Sequence, residues 1–417
     1  MSSEAHSEWS ASGFKRIMLC PGSKVLEKGA PRSSTSYAAE GTAAHEVLEM
    51  CLVNDKPATA YLGRIIQADG YDIEVTEDMV EHIQGVVDRV KEYAGDDGTI
   101  FPEQRLYYAE YLGVDRDTAW GTGDVTIAKG NKLIIIDLKY GKGKWVDVVE
   151  NPQLMLYGLG AVAAYDGLVD SFDEVQLVID QPRINPKPSE WTISKDDLIK
   201  WGAGPAAAAV RAAKMAELTH KANDAAWRDT FLKPGEDQCT FCKGKAKCPK
   251  LLAEVADTIG VSAASPEEFD ASDIECKPED QDNEWLAVFL RKVDLIEDWC
   301  RAVRAEADLR LKAGTYVPGW KLVQGKRGNR AWAEGKEDWV VDVLSDWVDY
   351  NELYTRKLKG PAAIEKLHKQ KIIGEREWTT VQQYITQADG KPHVAPADDP
   401  RPALEINSVA DDFSEVE

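Results

Sequence analysis

Residues 121–139 have the sequence GTGDVTIAKGNKLIIIDLK, and this segment fixes the class of fold. Its first half predicts a strand at 123–128. Its second half predicts a strand at 132–139, which contains the aliphatic run Leu133–Ile136. A continuous aliphatic run of this length is typical of a strand buried on both faces. We therefore expect a sheet with helices on both sides.

The flanking sequence supplies the helices and the other strands of this sheet. Apolar residues recur at helical spacing on the N-terminal side, and alternating or Pro-rich segments follow on the C-terminal side. We predict helices at about 8–19, 37–53, 76–93, 151–165 and 195–227. We predict further strands at 105–112, 175–180 and 191–193. Residues 1–255 are thus expected to form an α/β domain with a small mixed sheet.

The remainder of the chain changes in composition. Residues 256–283 are rich in Asp and Glu and are expected to form an acidic linker. Residues 284–406 predict a C-terminal α+β extension, an accessory domain with DNA-contacting segments. Residues 407–417 are expected to form a disordered acidic tail.

Overall composition excludes some classes of protein. The formal net charge is −22, which disfavours a protein that coats nucleic acid by bulk electrostatics but leaves room for a local basic groove. The chain contains no apolar run of the ~18 residues that a membrane span needs. Its first residues lack a signal peptide's apolar region, so we expect a cytoplasmic protein without membrane partners.

Two carboxylates and a lysine carry the strongest chemical signal. Asp137 and Lys139 are two residues apart on one strand, so their side chains share a face, and Asp124 lies on the preceding strand. A salt bridge at a strand end is the simplest explanation of the pair alone. Two carboxylates with the Leu138 backbone carbonyl also suit Mg²⁺ or Mn²⁺. Such an ion activates water for attack on a phosphate, and Lys139 is placed to assist.

The same residues resemble the PD-(D/E)XK nucleases, specifically their RecB-like branch. Four segments carry the resemblance, in the order found in that family: Gly41-Thr-Ala-Ala-His45, Gly121-Thr-Gly-Asp124, Ile135-Ile-Asp-Leu-Lys139 and Gln153-Leu-Met-Leu-Tyr157. The resemblance implies a restriction-endonuclease-like core. It also implies that residues 1–255 are a metal-dependent deoxyribonuclease domain.

The resemblance also implies roles for individual residues. Asp124 and Asp137 would be metal ligands, Lys139 the catalytic lysine, and His45 a further ligand borne on a helix. Gln153 and Tyr157, which share a helix face, would line the site. A further carboxylate often precedes the Asp124 strand in this family, and we expect it to be Glu103 rather than Glu110.

Three cysteines, Cys239, Cys242 and Cys248, have a metal-binding spacing, and Cys20 is the candidate fourth ligand. This arrangement resembles the iron–sulfur motif of AddB-type helicase–nucleases, where the cluster joins the two ends of the nuclease domain. The resemblance implies a structural [4Fe–4S] cluster. The spacing alone leaves Zn²⁺ open.

Basic residues near these motifs are candidates for contact with DNA phosphates. They are Lys142, Lys144, Lys321, Lys326, Arg327 and Arg330. The acidic tail is a candidate for recruiting replication or recombination proteins. Nearly the whole chain also resembles an uncharacterised family common in phages and prophages, which implies a bacterial cytosolic setting.

These observations predict a Mg²⁺- or Mn²⁺-dependent DNA exonuclease that acts in phage replication, recombination or end processing. Two alternatives remain at this stage: an endonuclease, and a non-catalytic DNA-binding module with a structural metal cluster. Strand polarity, preference for single or double strands and oligomeric state stay open.

Overall fold

The computed structural model describes residues 7–30, 35–142, 145–167, 171–258, 282–321, 337–344, 360–369 and 371–385. The chain divides into two compact units, residues 1–323 and 324–417. The predicted tail and residues 259–281 of the predicted linker lie outside the described residues. None of the described helices combines the length and apolar character that crossing a bilayer requires.

The first unit contains a five-stranded sheet and a separate two-stranded hairpin. The hairpin strands are β1 (Ile65–Ala68) and β2 (Tyr71–Glu74). The sheet strands are β3 (Thr99–Tyr107), β4 (Trp120–Lys129), β5 (Lys132–Leu138), β6 (Glu174–Asp180) and β7 (Ser189–Ser194). Their order is β3-β4-β5-β6-β7, and only the β5–β6 pair is parallel. The predicted mixed sheet is therefore confirmed.

The helices of the first unit are α1 (Ala11–Leu19), α2 (Ser23–Leu26), α3 (Ser36–Asn54), α4 (Glu77–Ala94), α5 (Ala109–Leu112), α6 (Pro152–Tyr165), α7 (Lys195–Trp201), α8 (Ala207–Ala222), α9 (Asp224–Phe231), α10 (Glu236–Thr240), α11 (Pro249–Thr258) and α12 (Asn283–Lys312). α3 and α4 cover one face of the sheet, and α1 and α6 cover the other. The parallel connection from β5 to β6 passes through α6.

The aliphatic run of β5 separates two apolar cores. Leu133 and Ile135 pack in the core on the α1 and α6 side. Ile134 and Ile136 pack in the core on the α3 and α4 side. A strand with apolar residues on both faces fits only between two layers of helices, so the sequence pattern and the fold agree.

The structure differs from the sequence predictions at one strand and at the hairpin. The strand predicted at 105–112 spans Thr99–Tyr107, and Ala109–Leu112 form one helical turn instead. Pro102 hides the strand in the sequence, and the structure accommodates it because β3 is an edge strand. The hairpin was not predicted, although its Asp69-Gly70 turn has the positive φ angles of 51° and 84° that such turns favour.

The long helix predicted at 195–227 is interrupted twice. A π-helical turn at Gly202–Ala206 contains Pro205, which lacks the backbone N–H that a regular helix needs. Asn223 then ends α8 and caps α9, accepting a hydrogen bond from the Ala226 amide. The predicted helix therefore consists of three α-helical segments, α7, α8 and α9.

The boundary predicted at 284 also differs. α12 belongs to the first unit, where Lys245 lies 3.8 Å from Asp298 and Lys292 lies 3.0 Å from Glu254. The acidic composition of residues 256–283 is typical of a linker, so the sequence did not indicate that α12 belongs to the first unit. The second unit contains short helices at Glu337–Leu344, Pro361–Lys369 and Glu375–Gln382.

Candidate functional site

The candidate site lies where β5 ends, between β4, α3 and the start of α6. The first turn of α6 is fixed by Asn151, whose side chain accepts hydrogen bonds from the amides of Gln153 and Leu154. Pro152 occupies the first helical position, where its missing N–H costs nothing. These local preferences direct Gln153 toward the end of β5.

Lys139 and its neighbours form one hydrogen-bonded group. Lys139 Nζ lies 2.7 Å from Asp137 Oδ2 and donates to Gln153 Oε1 at 3.0 Å. Gln153 Nε2 donates to Asp137 Oδ1 at 2.9 Å and to the Tyr157 hydroxyl at 3.3 Å. The structure therefore brings together four of the residues that the sequence singled out.

A second group forms around Asp124. Its Oδ1 lies 3.1 Å from His45 Nδ1, and its Oδ2 accepts a hydrogen bond of 2.6 Å from the Leu138 amide. Glu103 completes the group, because one ligand atom from each of His45, Glu103 and Asp124 lies within 4.8 Å of the others. The role predicted for the Leu138 carbonyl stays a prediction.

Asp124 and Asp137 are both predicted metal ligands, together with His45, Glu103 and the Leu138 carbonyl, and these roles stay predictions. Among the described residues, the one group with the spacing of a metal site is His45, Glu103 and Asp124. Asp137 instead contacts Lys139 and Gln153. Glu103, the expected choice over Glu110, does reach the site.

A local irregularity in the pairing of β3 with β4 brings Glu103 and Asp124 to the site. The register places them opposite each other, yet the pairing is interrupted there, and Glu103 has a left-handed φ of 46°. Before this point Phe101 stacks on Tyr165 of α6, and after it Leu106 packs against α6 at Gly160. Residues five apart on a regular strand face opposite sides, so the alternation of β3 shifts by one at Glu103.

Burial and charge change the pKa values in this region. Burial, together with the charge of Asp124, raises the pKa of Glu103 to about 7. Burial lowers the pKa of His45, but the charge and hydrogen bond of Asp124 outweigh it and raise that pKa to about 9. Burial also lowers the pKa of Lys139, but the charge of Asp137 outweighs that effect and raises this pKa above its usual value.

The residues present fit a divalent cation. His45, Glu103 and Asp124 line a cavity of about 820 Å³ that α3 borders along most of its length. Carboxylates suit both Mg²⁺ and Mn²⁺, and the imidazole favours Mn²⁺, the softer of the two ions. The buried Asp137 Oδ2 is close to the ammonium but not aligned for a hydrogen bond, so a lone pair remains there for a further partner.

Three of the four predicted cysteine ligands, Cys20, Cys239 and Cys248, pack in one apolar cluster. Cys20, Cys239, Cys242 and Cys248 are all buried, with 6–7% of each residue exposed. Lys233 donates a backbone hydrogen bond to Cys20 Sγ at 3.3 Å, and Gly235 does so to Cys239 Sγ at 3.4 Å. No three of these sulfur atoms lie within 4.8 Å of one another. The cysteines are thus neighbours but not a tight group.

The segment that carries Cys20 contacts the segment before the other three cysteines. The Gly22 amide donates to the Phe231 carbonyl at 2.9 Å. A Cβ added to Gly22 would lie 2.9 Å from the same carbonyl oxygen, so no larger residue fits this approach. The segment after α1 and the segment after α9 are therefore in contact here, and the cluster predicted to join them stays a prediction.

The predicted DNA-contacting residues are only partly described. Lys142 and Lys321 are exposed. Lys144, Lys326, Arg327 and Arg330 lie outside the described residues. Cys51, which the sequence left without a ligand role, is buried in the core on the α3 side.

The sequence analysis missed a buried ion pair beside the site. Arg89 donates to both carboxylate oxygens of Asp180, at 2.7 and 2.8 Å, and Asp180 is 1% exposed. The Asp180 carbonyl accepts a hydrogen bond of 2.8 Å from the Lys139 amide. Asp180 follows an aliphatic strand just as Asp137 does, and this repeated pattern was a usable signal.

The fold and site together define an α/β protein in which helix α3 and the mixed sheet bring a His/Glu/Asp group beside an Asp/Lys pair. The chain belongs to the DUF2800 family, described as proteins of unknown function, and residues 6–402 match that family. The expectation that nearly the whole chain falls within one uncharacterised family is confirmed.

Proposed function

We propose that this protein is a metal-dependent DNA exonuclease of the PD-(D/E)XK class, with a RecB-like core. One observation carries the proposal: Asp124, Asp137 and Lys139 meet at one end of the sheet, with Glu103 and His45 beside them. A salt bridge alone explains Asp137 and Lys139. It does not explain why two further carboxylates and an imidazole lie beside this pair, at the point where the alternation of β3 shifts.

The sheet topology supports this class. Two antiparallel strands carry Asp124 and Asp137, and a helix then leads to a parallel neighbour of the second strand. That helix begins with Gln153, which contacts both Asp137 and Lys139. Shared fold alone does not define an activity, so the proposal rests on these side chains.

The chain's own residues have separable roles in this proposal. His45, Glu103 and Asp124 would hold Mg²⁺ or Mn²⁺, with Asp137 adjacent. Such an ion polarises a phosphodiester and makes a bound water a better nucleophile. Lys139 offsets negative charge at the phosphate, because its ammonium is held in place by Asp137 and Gln153. Tyr157 fixes the other end of the Gln153 amide.

We further propose that the cysteines hold a [4Fe–4S] cluster. All four thiols are buried, and their spacing in the sequence leaves Zn²⁺ as the alternative. Backbone N–H donors to sulfur, as at Cys20 and Cys239, are also a feature that tunes such clusters.

The proposed setting is the bacterial cytoplasm, in phage or prophage DNA replication, recombination or end processing. The substrate is DNA with free ends. Recruitment of replication or recombination proteins by the acidic tail remains part of this proposal, and it is tested by deleting residues 408–417 and comparing pull-downs.

The test is cleavage of end-labelled linear and circular DNA, each single- and double-stranded, by anaerobically purified full-length protein. We expect Mg²⁺ or Mn²⁺ to support degradation of linear DNA only, and a chelator to stop it. Cleavage of circles would instead identify an endonuclease. Metal-independent binding without cleavage would identify a DNA-binding module and overturn the proposal.

A further inference from the structure

A row of aromatic rings and guanidinium groups leads away from the candidate site along β3 and β4. The strands pair Arg105 with Thr122 and Tyr107 with Trp120. Thr122 lines the same cavity as Asp124. Because alternate residues of a strand share a face, Trp120 lies on the face of Thr122, and its partner Tyr107 does too. We call Arg105, Tyr107, Arg116 and Trp120 the outer row.

Two cation–π contacts organise the outer row. The guanidinium carbon of Arg105 lies 4.1 Å from the ring centroid of Trp120. That of Arg116 lies 4.4 Å from the ring centroid of Tyr107. Both arginines are exposed, and both rings are half-buried. A guanidinium on a ring forms a flat surface on which a base stacks, and its positive charge attracts phosphate.

A cavity of about 370 Å³ opens at this end of β3. Its volume falls within the range of ~300–1,000 Å³ that small-molecule pockets occupy. Arg105, Tyr107 and Arg116 line it at the free edge of β3, together with the small α6 residues Gly160, Ala163 and Ala164. Glu110 also borders this cavity.

The row has the length of a short strand of nucleic acid. Trp120 precedes Asp124 by four residues, which is about 13 Å at ~3.3 Å per residue. Stacked nucleotides rise ~3.4 Å each, so roughly four of them would extend from the outer row to the metal-site residues.

We infer that the outer row binds single-stranded DNA and guides the strand to Asp124. The rings and guanidinium planes select unpaired bases, since a duplex hides its base faces from stacking. The two arginines supply positive charge on a chain whose net charge is −22. The destination of the strand rests on the proposed nuclease function, whereas binding by the row does not.

The first test is fluorescence anisotropy with a labelled oligothymidylate and the full chain in a chelating buffer, where no metal-dependent cleavage occurs. We expect the Arg105→Ala/Arg116→Ala double variant to bind at least about tenfold more weakly. The slope of log affinity against log salt should become shallower by about 1.4, or ~0.7 per lost phosphate contact. The Arg211→Ala/Lys214→Ala double variant removes the same charge at exposed positions on α8, and it should bind like the wild type.

The second test separates stacking from charge at Trp120. We expect Trp120→Phe to retain most of the affinity for the oligothymidylate. Trp120→Leu should lose about tenfold, because it is apolar but has no ring face. Thermal unfolding curves of both variants show whether the fold is intact, so a loss caused by misfolding is recognised.

The outcomes are distinguishable from those of the nuclease assay. Wild-type affinity in the double variant, or equal losses for a blunt hairpin duplex and the single strand, would overturn the inference. An absence of DNA binding by the wild type would also overturn it and leave a peptide as the occupant. Binding that depends on the row, without cleavage under any metal, would support the inference and contradict only the nuclease function.

Discussion

At the scale of single residues, Lys139 and Asp137 illustrate how a strand end becomes a reactive site. Asp137 is 3% exposed at its side chain, and Lys139 is the cation beside it. Removing one partner of a buried ion pair leaves an uncompensated charge, which costs more than the pair itself contributes. The pair therefore has structural as well as chemical consequences.

We predict that Lys139→Met lowers the free energy of unfolding by about 3 kcal/mol, because Asp137 loses its cation. Lys142 lies three residues further along and is exposed, so Lys142→Met should leave the free energy of unfolding unchanged. Chemical denaturation of the two variants in a chelating buffer measures the difference. Equal stability of both variants would show that Asp137 does not depend on Lys139.

A second residue-scale prediction concerns protons at the metal site. The pKa of His45 is raised to about 9 by Asp124 against the effect of burial, so the ring is protonated at neutral pH. A metal ligand must be a neutral imidazole, so binding of Mn²⁺ releases protons. Its affinity should increase with pH until about pH 9.

Titration calorimetry in two buffers with different ionisation enthalpies measures this release directly. Near neutral pH we expect the wild type to release about one to two protons per ion, one from His45 and a fraction from Glu103, whose pKa is about 7. The apparent binding enthalpy should differ between the two buffers in proportion to this release. His45→Asn should reduce that difference. Identical enthalpies for the wild type in both buffers would exclude His45 as a ligand.

At the scale of elements, the shift in β3 and β4 matters most. Glu103 has a left-handed backbone conformation that costs a non-glycine residue about 1–3 kcal/mol. The shift turns Asp124 toward His45 while Val125 still packs in the core on the α3 side. A regular strand would point two consecutive residues to opposite faces.

We predict that Glu103→Gly raises the free energy of unfolding of the metal-free protein by about 1 kcal/mol, since glycine adopts this φ freely. Glu103→Gln keeps the strained backbone and removes the charge. Both variants should lose affinity for Mn²⁺. A glycine variant less stable than the glutamine variant would argue against strain at this position.

The sequence predicted most elements but not this shift. The β5 run, the Asn151-Pro152 helix start and the apolar stripe of α3 each carry a local pattern that fixes an element. The strand shift depends on pairing between β3 and β4, which no local pattern contains. Glu103 was preferred through a family resemblance. Arg89 was missed because its partner, Asp180, is 91 residues away in the chain.

At the scale of the whole molecule, the cysteines join distant parts of the first unit. Cys20 lies in the segment after α1, and the other three lie between α9 and α11, with α12 packed nearby. A cluster that binds only the folded chain stabilises the first unit by mass action.

We predict that Cys242→Ser loses bound iron and lowers the melting temperature of the anaerobically prepared protein. Cys300→Ser is the matched control, because Cys300 is exposed on α12 and should leave both quantities unchanged. Elemental analysis and calorimetric melting measure the effects. Stoichiometric zinc without iron in the wild type would replace the cluster with a zinc site.

We propose above all that Asp137 and its neighbours hydrolyse phosphodiester bonds with a divalent metal ion. The most direct measurement is the rate of Mn²⁺-dependent cleavage of an end-labelled linear single strand by the wild type and by Asp137→Asn. The two side chains have nearly the same shape, so the comparison isolates the charge. We predict cleavage by the wild type and a loss of about a thousandfold in the variant. Equal rates, or a wild type that does not cleave, would contradict the account.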